Sequence, residues 1–160
     1  MNEIIVRVAD LRIGRADDVL VTIGLGSCVA IALYDAAVQV GGLAHVLLPS
    51  PALTRGSPNP ARVPQTAVPA LLAEMAAAGA SPRRIKARLV GGASMFAALA
   101  TPGTIQMGER NVVAARQSLA AAGVPIVGEA VGGDFGRTVR LRVKDGRLDV
   151  SSVMHGIAAL

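Results

Sequence analysis

Short apolar runs rich in β-branched residues dominate the first third of the chain, and polar or glycine residues separate them. Runs of this length and composition are typical of strands. They predict strands over Glu3 to Ala9, Leu20 to Ile23, Val29 to Tyr34 and Val38 to Leu48. The segment from Gly24 to Ser27 breaks the pattern, so the third strand should begin shortly after it. A short turn would make the last two strands neighbours.

Proline spacing and helical periodicity change the pattern in the middle of the chain. Five prolines between Pro49 and Pro64 exclude a regular element there and predict a surface loop. Apolar residues then recur at helical spacing. They predict a helix over Gln65 to Ala78, with Pro69 in its first turn and Gly79 as its stop.

The second half of the chain should add one helix and several strands. A helix is expected over Asn111 to Ala122, with Asn111 as its N-cap and Gly123 at its C-terminal end. Asp145-Gly146 is a strong turn signal, and the runs on its two sides predict a terminal hairpin. The predicted strands of this half are Ile85 to Val90, Pro125 to Val131, Thr138 to Val143 and Arg147 to Val153. Strands interrupted by only two helices predict a single α+β domain over residues 1–160, layered and largely antiparallel.

The composition favours a protein of the reducing cytoplasm. One cysteine cannot form an internal disulfide, and the first residues lack the basic start and apolar run of a secretory signal peptide. The uncharged stretch over residues 36–54 is long enough to suggest a transmembrane helix. It contains His45, Pro49 and a Gly41-Gly42 pair, however, and alternates in short apolar pieces. We therefore expect buried strands there and no transmembrane segment.

The formal charge of +5 makes an acidic partner plausible. Arg140, Arg142 and Lys144 alternate with apolar residues, as on a strand with one solvated face. No aromatic residue interleaves these charges to stack on bases, so specific nucleic-acid binding is not expected. The glycine-rich turns contain neither a GxGxxG nor a GxxxxGK(S/T) pattern. We therefore expect no nucleotide cofactor, and no metal is predicted.

Cys28 is the candidate nucleophile, although a lone cysteine is more often a buried, inert residue. Gly26 and Ser27 precede it. Such small residues let a substrate backbone approach and leave backbone N–H groups free to hold an oxyanion. A thiol also needs a base, and His45, on the predicted neighbouring strand, is a better candidate than His155 in the terminal tail.

A third side chain usually holds the imidazole of such a pair in one tautomer. Thr22 lies on the strand just ahead of the Cys28 turn and suits this role, with Asp35 as its rival. Spacing alone does not prove that these side chains meet. The residues by themselves therefore predict a Cys-His hydrolase only as one hypothesis.

Several motifs occur in a fixed order from about Val6 to Val150. The first are TIGLGSCVA from Thr22 to Ala30, Leu33-Tyr34-Asp35, and GGLAHVLLP from Gly41 to Pro49. The later blocks are Thr66 to Pro69, Gly91 to Phe96, Ile105 with Gly108 to Asn111, and Gly132 to Arg137. A single glycine pair would be a weak signal, but the ordered set is specific. It strongly resembles the chemoreceptor glutamine deamidases, the CheD family.

This resemblance implies a bacterial cytoplasmic enzyme that hydrolyses selected glutamine side chains of chemotaxis receptors to glutamate and releases ammonia. Its substrate would be the cytoplasmic helical region of the receptors. In the family, the residues aligned with Cys28, His45 and Thr22 serve as nucleophile, general base and imidazole-orienting group. The implied fold is an α/β/β layered sandwich, and CheC-type phosphatases are common partners. We expect no cofactor.

The sequence departs from the family pattern just before the first predicted helix. Val63 and Gln65 stand where the family usually has an aromatic and an acidic residue. We expect the chemistry to survive, while docking of a partner or substrate at this edge would be affected. The competing hypothesis is a non-catalytic module that regulates a CheC-type phosphatase or docks on receptors. The presence of Thr22, Cys28 and His45 argues against it.

Overall fold

The computed structural model describes residues 1–95 and 103–160, which form ten strands, two α-helices and two short 3₁₀ helices. The strands are β1 (Asn2–Ile5), β2 (Asp10–Arg15), β3 (Asp18–Leu25), β4 (Val29–Asp35), β5 (Val40–Val46), β6 (Lys86–Gly91), β7 (Ile126–Val131), β8 (Arg137–Arg142), β9 (Arg147–Ser152) and β10 (Gly156–Ala159). The helices are α1 (Pro64–Ala77) and α2 (Met107–Ala121), and the 3₁₀ helices are Pro51–Thr54 and Pro60–Arg62. Phe96, the last residue of one motif, lies outside the described residues.

The strands form two five-stranded sheets. The first has the order β1-β3-β8-β9-β10 and the second the order β2-β5-β4-β6-β7. Pairing is parallel between β1 and β3 and between β6 and β7. The other six ladders of the described residues are antiparallel. The predicted mixed α+β class is therefore confirmed.

Residues of β4 alternate between two apolar clusters. Val29 and Ile31 belong to a cluster that also contains buried apolar residues of α1 and α2. Ala30 belongs to a second cluster, together with Leu20 of β3 and Leu141 of β8. Successive strand residues point to opposite faces of a sheet, so one face of β4 contacts the helices and the other contacts the first sheet.

The sequence pattern misses two strands and extends the first one too far. β1 ends at Ile5, and Ala9, with a left-handed φ of 57°, leads the chain into β2. In β2, alternation is carried only by Leu11 and Ile13, which is too short a run to stand out from the preceding segment. β10 is exposed throughout and, among the strands of the described residues, pairs only with β9. Such edge strands are defined by their pairing partners more than by their own sequence.

The predicted N-cap of the second helix is wrong. α2 begins at Met107, so Gln106 occupies the N-cap position and Asn111 lies inside the helix, fully buried. Asparagine favours caps because its side chain can replace a missing backbone partner. Here tertiary hydrogen bonds to two carbonyl groups use the side-chain amide instead. Gly123 follows the helix with a left-handed φ of 73°, as expected.

The first helix and the terminal hairpin agree with the predicted pattern. Gly79 follows α1 with φ of 102°, although Pro69 lies inside the helix beyond its first turn. β8 and β9 pair antiparallel, with Arg142 opposite Arg147. The uncharged stretch over residues 36–54 forms β5 and the turns around it. Neither helix of the described residues is long and apolar enough to cross a membrane.

Basic and apolar residues alternate on β8, as the sequence predicted. Val139 and Leu141 are buried between the arginines. Arg140 forms an ion pair with Glu3, and Arg142 one with Asp145, at the surface. Both charges are thus paired within the protein.

Candidate functional site

Thr22 and His45 meet between the two sheets. Thr22 lies on β3 of the first sheet and His45 on β5 of the second, and both side chains are fully buried. The Oγ1 atom of Thr22 is 2.7 Å from Nδ1 of His45. A buried hydrogen bond therefore joins two residues that the sequence suggested as partners.

A second hydrogen bond of Thr22 determines which atom donates in this contact. The Thr22 hydroxyl donates to the carbonyl oxygen of Val6 at 2.6 Å. A hydroxyl has one proton, so Nδ1 of His45 must carry a proton and donate it to Oγ1. The neutral imidazole then has its lone pair on Nε2. This atom is buried and has no hydrogen-bond partner among the described residues.

Burial keeps the imidazole of His45 neutral. Removal from water lowers its pKa to about 4, from an ordinary value of 6.5. Thr22 orients the ring without adding a negative charge that would stabilise the imidazolium. At neutral pH the side chain is therefore a neutral imidazole, with its proton on Nδ1 and its free lone pair on Nε2.

Cys28 lies in the loop between β3 and β4, two residues before Ala30. Ala30 pairs with His45 across the β4–β5 ladder and belongs to the cluster between the sheets. The half-buried Cys28 packs against the same cluster. The thiol and the imidazole thus lie on the same side of the second sheet. No hydrogen bond joins Sγ to Nε2 in the part of the chain that the structure describes.

The thiol of Cys28 is protonated at rest. Burial raises its pKa above the ordinary value of 9.0, and the residue's own backbone N–H only partly offsets this. Since the pKa of His45 is lowered, the resting pair consists of a neutral thiol and a neutral imidazole. Proton transfer must therefore accompany any reaction of this thiol near neutral pH.

Backbone hydrogen bonds hold the loop from Gly26 to Cys28. The carbonyl oxygens of Gly26 and Cys28 accept from the N–H groups of Ala93 and Gly92, both at 2.8 Å. The N–H groups of Ser27 and Cys28 have no backbone acceptor within residues 1–95 and 103–160. Ser27 is exposed. The loop therefore presents N–H groups that could bind a ligand oxygen.

The Gly91-Gly92 pair allows the Cys28 loop to lie against the end of β6. Gly91 has φ of 111°, and a Cβ atom there would be 2.3 Å from the carbonyl oxygen of Cys28. Gly92 has φ of 65°, and its Cβ would be 2.3 Å from Cγ2 of Val112. Neither position has room for a side chain.

Asn111 is a residue of this site that the sequence pattern did not identify. Its Nδ2 atom donates to the carbonyl oxygen of Ser27 at 2.9 Å and to that of Leu47 at 3.2 Å. It therefore connects the loop of Cys28 to the segment just after His45. Its only signal in the sequence is its place in a motif block. The local pattern predicts a helix N-cap at that position.

The other candidate orienting group, Asp35, and the other candidate base, His155, lie away from this hydrogen bond. Asp35 is at the opposite end of β4 from Cys28, and its carboxylate accepts from Nε of Arg84 at 3.0 and 3.1 Å. His155 is exposed, with its ring centroid 4.3 Å from that of Phe135. Neither hydrogen-bonds the buried imidazole. Among the residues described, no group of three or more His, Cys, Asp or Glu side chains could hold a metal ion.

The two positions that depart from the family pattern differ in exposure. Val63 is 2% exposed and belongs to the interior. Gln65 is exposed, and its Nε2 donates to the carbonyl oxygen of Pro49 at 2.8 Å. Of the two, only Gln65 is available to a partner at the surface.

The chain is similar to known chemotaxis proteins over its full length. A family model described as CheD chemotactic sensory transduction matches residues 47–152. A probable chemoreceptor glutamine deamidase of Geobacter metallireducens is 41% identical, and the alignment covers 100% of both chains. Proteins of the same description from Caldanaerobacter subterraneus and Thermococcus kodakarensis are each 40% identical. Those alignments cover 95% and 96% of this chain, and 94% and 95% of the relatives.

Proposed function

Because the chain belongs to the CheD family of chemoreceptor glutamine deamidases, we propose that it hydrolyses glutamine side chains of chemotaxis receptors to glutamate. Cys28 is the nucleophile and His45 the general base. Thr22 holds the base in one tautomer, and the backbone at Gly26 and Ser27 forms the oxyanion site together with the N–H of Cys28.

The first half of the proposed reaction forms a thioester. Nε2 of His45 takes the proton of the Cys28 thiol as Sγ attacks Cδ of the substrate glutamine. The carbonyl oxygen becomes an oxyanion, which accepts hydrogen bonds from the N–H groups of Ser27 and Cys28. The imidazolium then returns its proton to the leaving nitrogen, and ammonia departs as the C–N bond breaks.

The second half hydrolyses the thioester. A water molecule attacks Cδ while Nε2 of His45 accepts one of its protons. The bond from Cδ to Sγ breaks, the thiolate of Cys28 recovers the proton, and glutamate is released. The sum is glutamine plus water giving glutamate plus ammonia, so no oxidant, metal or cofactor is consumed.

A single observation carries this proposal. The hydroxyl proton of Thr22 is committed to Val6, so the imidazole of His45 presents an unpaired lone pair at Nε2 on the side of the sheet where Cys28 lies. A buried nitrogen without a partner costs stability, so its presence calls for a functional explanation. The low pKa of this imidazole keeps the lone pair available at neutral pH.

The decisive test is mass spectrometry of a receptor cytoplasmic fragment from the same organism, incubated with the protein or with its Cys28→Ala variant. We expect glutamine-to-glutamate mass changes with the wild type only. Cys28→Ser keeps the size of the side chain and serves as the matched control for folding. Conversion by Cys28→Ala, or none by the wild type, would disprove the catalytic role of the thiol.

The alternative, a non-catalytic module that regulates a CheC-type phosphatase or a receptor, is not favoured. A scaffold would have no need of an imidazole fixed in one tautomer with a free buried nitrogen. In the same experiment, such a module would bind the receptor fragment without changing its mass, and Cys28→Ala would bind equally well.

Family membership supports three further proposals. The protein acts in the cytoplasm, on the helical region of the receptors. A CheC-type phosphatase as a partner stays a prediction. We also infer an α/β/β layered arrangement, because apolar residues of the second sheet divide between one cluster with the helices and another with the first sheet.

A further inference from the structure

Asn111 joins the two segments that carry the proposed nucleophile and base. Its side chain is fully buried, and Nδ2 donates to the carbonyl oxygens of Ser27 and Leu47 at 2.9 and 3.2 Å. An NH₂ group has two protons, so both donors are used. One acceptor directly precedes Cys28 and the other follows His45 by two residues.

The helix that carries Asn111 is itself fixed against the loops of the site. A Cβ atom at Gly108 would be 2.3 Å from the carbonyl oxygen of Ala93, so the first turn of α2 lies in direct contact with the segment after β6. Ala93 in turn donates its N–H to Gly26. The close packing of α2 against this segment therefore holds the side-chain amide of Asn111 in a fixed position.

We propose that Asn111 is a positioning residue for the deamidation proposed above, on which this inference rests. By holding the carbonyls of Ser27 and Leu47 at a fixed spacing, it sets the approach of the Cys28 thiol to Nε2 of His45. These two atoms are not hydrogen-bonded at rest, so proton transfer between them depends on the spacing of their backbones. A displacement of about 1 Å in such a pair can cost roughly 100-fold in rate.

The Asn111→Asp variant tests this role with little change of size. Asn111 presents two donor hydrogens to the carbonyl oxygens of Ser27 and Leu47. The carboxylate of the variant would present an acceptor oxygen to them instead. We expect kcat to fall roughly 100-fold with KM little changed, because Asn111 acts on spacing and touches no reacting atom. Burial beside carbonyl groups should raise the pKa of the new carboxyl, and its protonated form can donate one hydrogen bond.

This gives a pH signature that a loss of stability would not produce. The kcat of Asn111→Asp should rise as the pH is lowered from about 8 to about 6. The wild type should stay nearly level over that range, since the pKa of His45 is about 4. A level profile for the variant would contradict the proposal.

Leu119→Ala is the matched control. Leu119 is fully buried on the same helix and packs in the helix-side cluster, whereas Cys28 packs against the cluster between the sheets. It should lower stability while leaving kcat unchanged at a temperature where the protein stays folded. If kcat falls equally in Leu119→Ala and Asn111→Asp at matched stability, the role of Asn111 is structural only and the proposal fails.

Alkylation of Cys28 by iodoacetamide separates this inference from the proposed function. Release of Ser27 should expose the half-buried thiol, so Asn111→Asp should react several-fold faster than the wild type, with Leu119→Ala unchanged. If the wild type does not deamidate receptors, the proposed function fails, while alkylation still decides whether Asn111 holds the loop. An unchanged alkylation rate in Asn111→Asp would overturn the inference.

Discussion

At the scale of single residues, one hydroxyl proton determines how His45 can react. The Thr22 hydroxyl donates a hydrogen bond to the carbonyl oxygen of Val6 and accepts one from Nδ1 of His45, which leaves Nε2 as the basic atom. A carboxylate in the same position would also orient the ring, but its charge would raise the pKa of the imidazole. With threonine, the base is oriented and still neutral well below pH 7.

The Thr22→Val variant removes this control while preserving side-chain shape. The ring loses its acceptor and can rotate or change tautomer, so kcat should fall roughly 100-fold, the lower end of what a general base contributes. Thr22→Ser keeps the hydroxyl and should retain most of the activity. Mass spectrometry of a receptor fragment gives both rates. Equal rates for the valine and serine variants would contradict the role of the hydroxyl.

Residue type and order were enough to make Cys28 and His45 the candidate nucleophile and base, because thiol and imidazole chemistry limits the choices to one cysteine and two histidines. They were not enough to choose between Thr22 and Asp35 as the group that orients the imidazole. That choice depends on which strand of the first sheet packs against the strand of His45. Asn111 escaped notice because both of its bonds are tertiary. A side-chain amide that bonds only to residues distant in sequence leaves no recognisable local pattern.

At the scale of elements, β6 is joined to the loop of Cys28 by a close backbone contact. The substitution Gly91→Ala should therefore be far more harmful than a substitution at a glycine with open space around it, because the new Cβ would be 2.3 Å from the carbonyl oxygen of Cys28. Gly123→Ala is the control, since φ there is also positive but no atom lies within 4 Å of the added Cβ.

Urea unfolding should show a loss of about 1 kcal/mol for Gly123→Ala, from the left-handed backbone alone. Gly91→Ala should lose several times more, and the surviving folded protein should have little activity. Similar losses for the two variants would mean that the backbone adjusts and that the close approach is not required.

Elements with strong local signals were predictable, and elements defined by their neighbours were not. The β8–β9 hairpin follows from Asp145-Gly146, and α1 and α2 follow from periodicity and terminal glycines. The start of α2 was misplaced because asparagine's preference for caps competed with a tertiary role. The edge strands β2 and β10 obtain their regular structure from pairing with β5 and β9.

At the scale of the whole molecule, a buried neutral histidine links stability to pH. The pKa of His45 is about 4 in the folded protein, against an ordinary 6.5. Between these values the unfolded chain binds a proton that the folded protein does not. The free energy of unfolding should therefore be unaffected by His45 above pH 6.5 and fall as the pH is lowered towards 4. The full loss is about 3 kcal/mol.

Urea unfolding of the wild type and of His45→Gln at both ends of this pH range measures the effect. The wild type should lose about 3 kcal/mol more than the variant, which lacks the titrating group. Asp35 does not interfere, because its hydrogen bonds outweigh burial and lower its pKa below 3.8, so its contribution is lost only at lower pH. Parallel losses in the two proteins would show that His45 remains solvated.

The contact between Thr22 and His45 has a consequence for the timing of activity during synthesis. Thr22, Cys28 and His45 lie in the first third of the chain, but β3 pairs with β8, which begins at Arg137. A chain emerging from the ribosome therefore carries thiol and imidazole long before the sheet that holds Thr22 can be completed. With the roles proposed for Thr22 and His45, we therefore expect deamidase activity only once the final strands have formed, and none in unfinished chains.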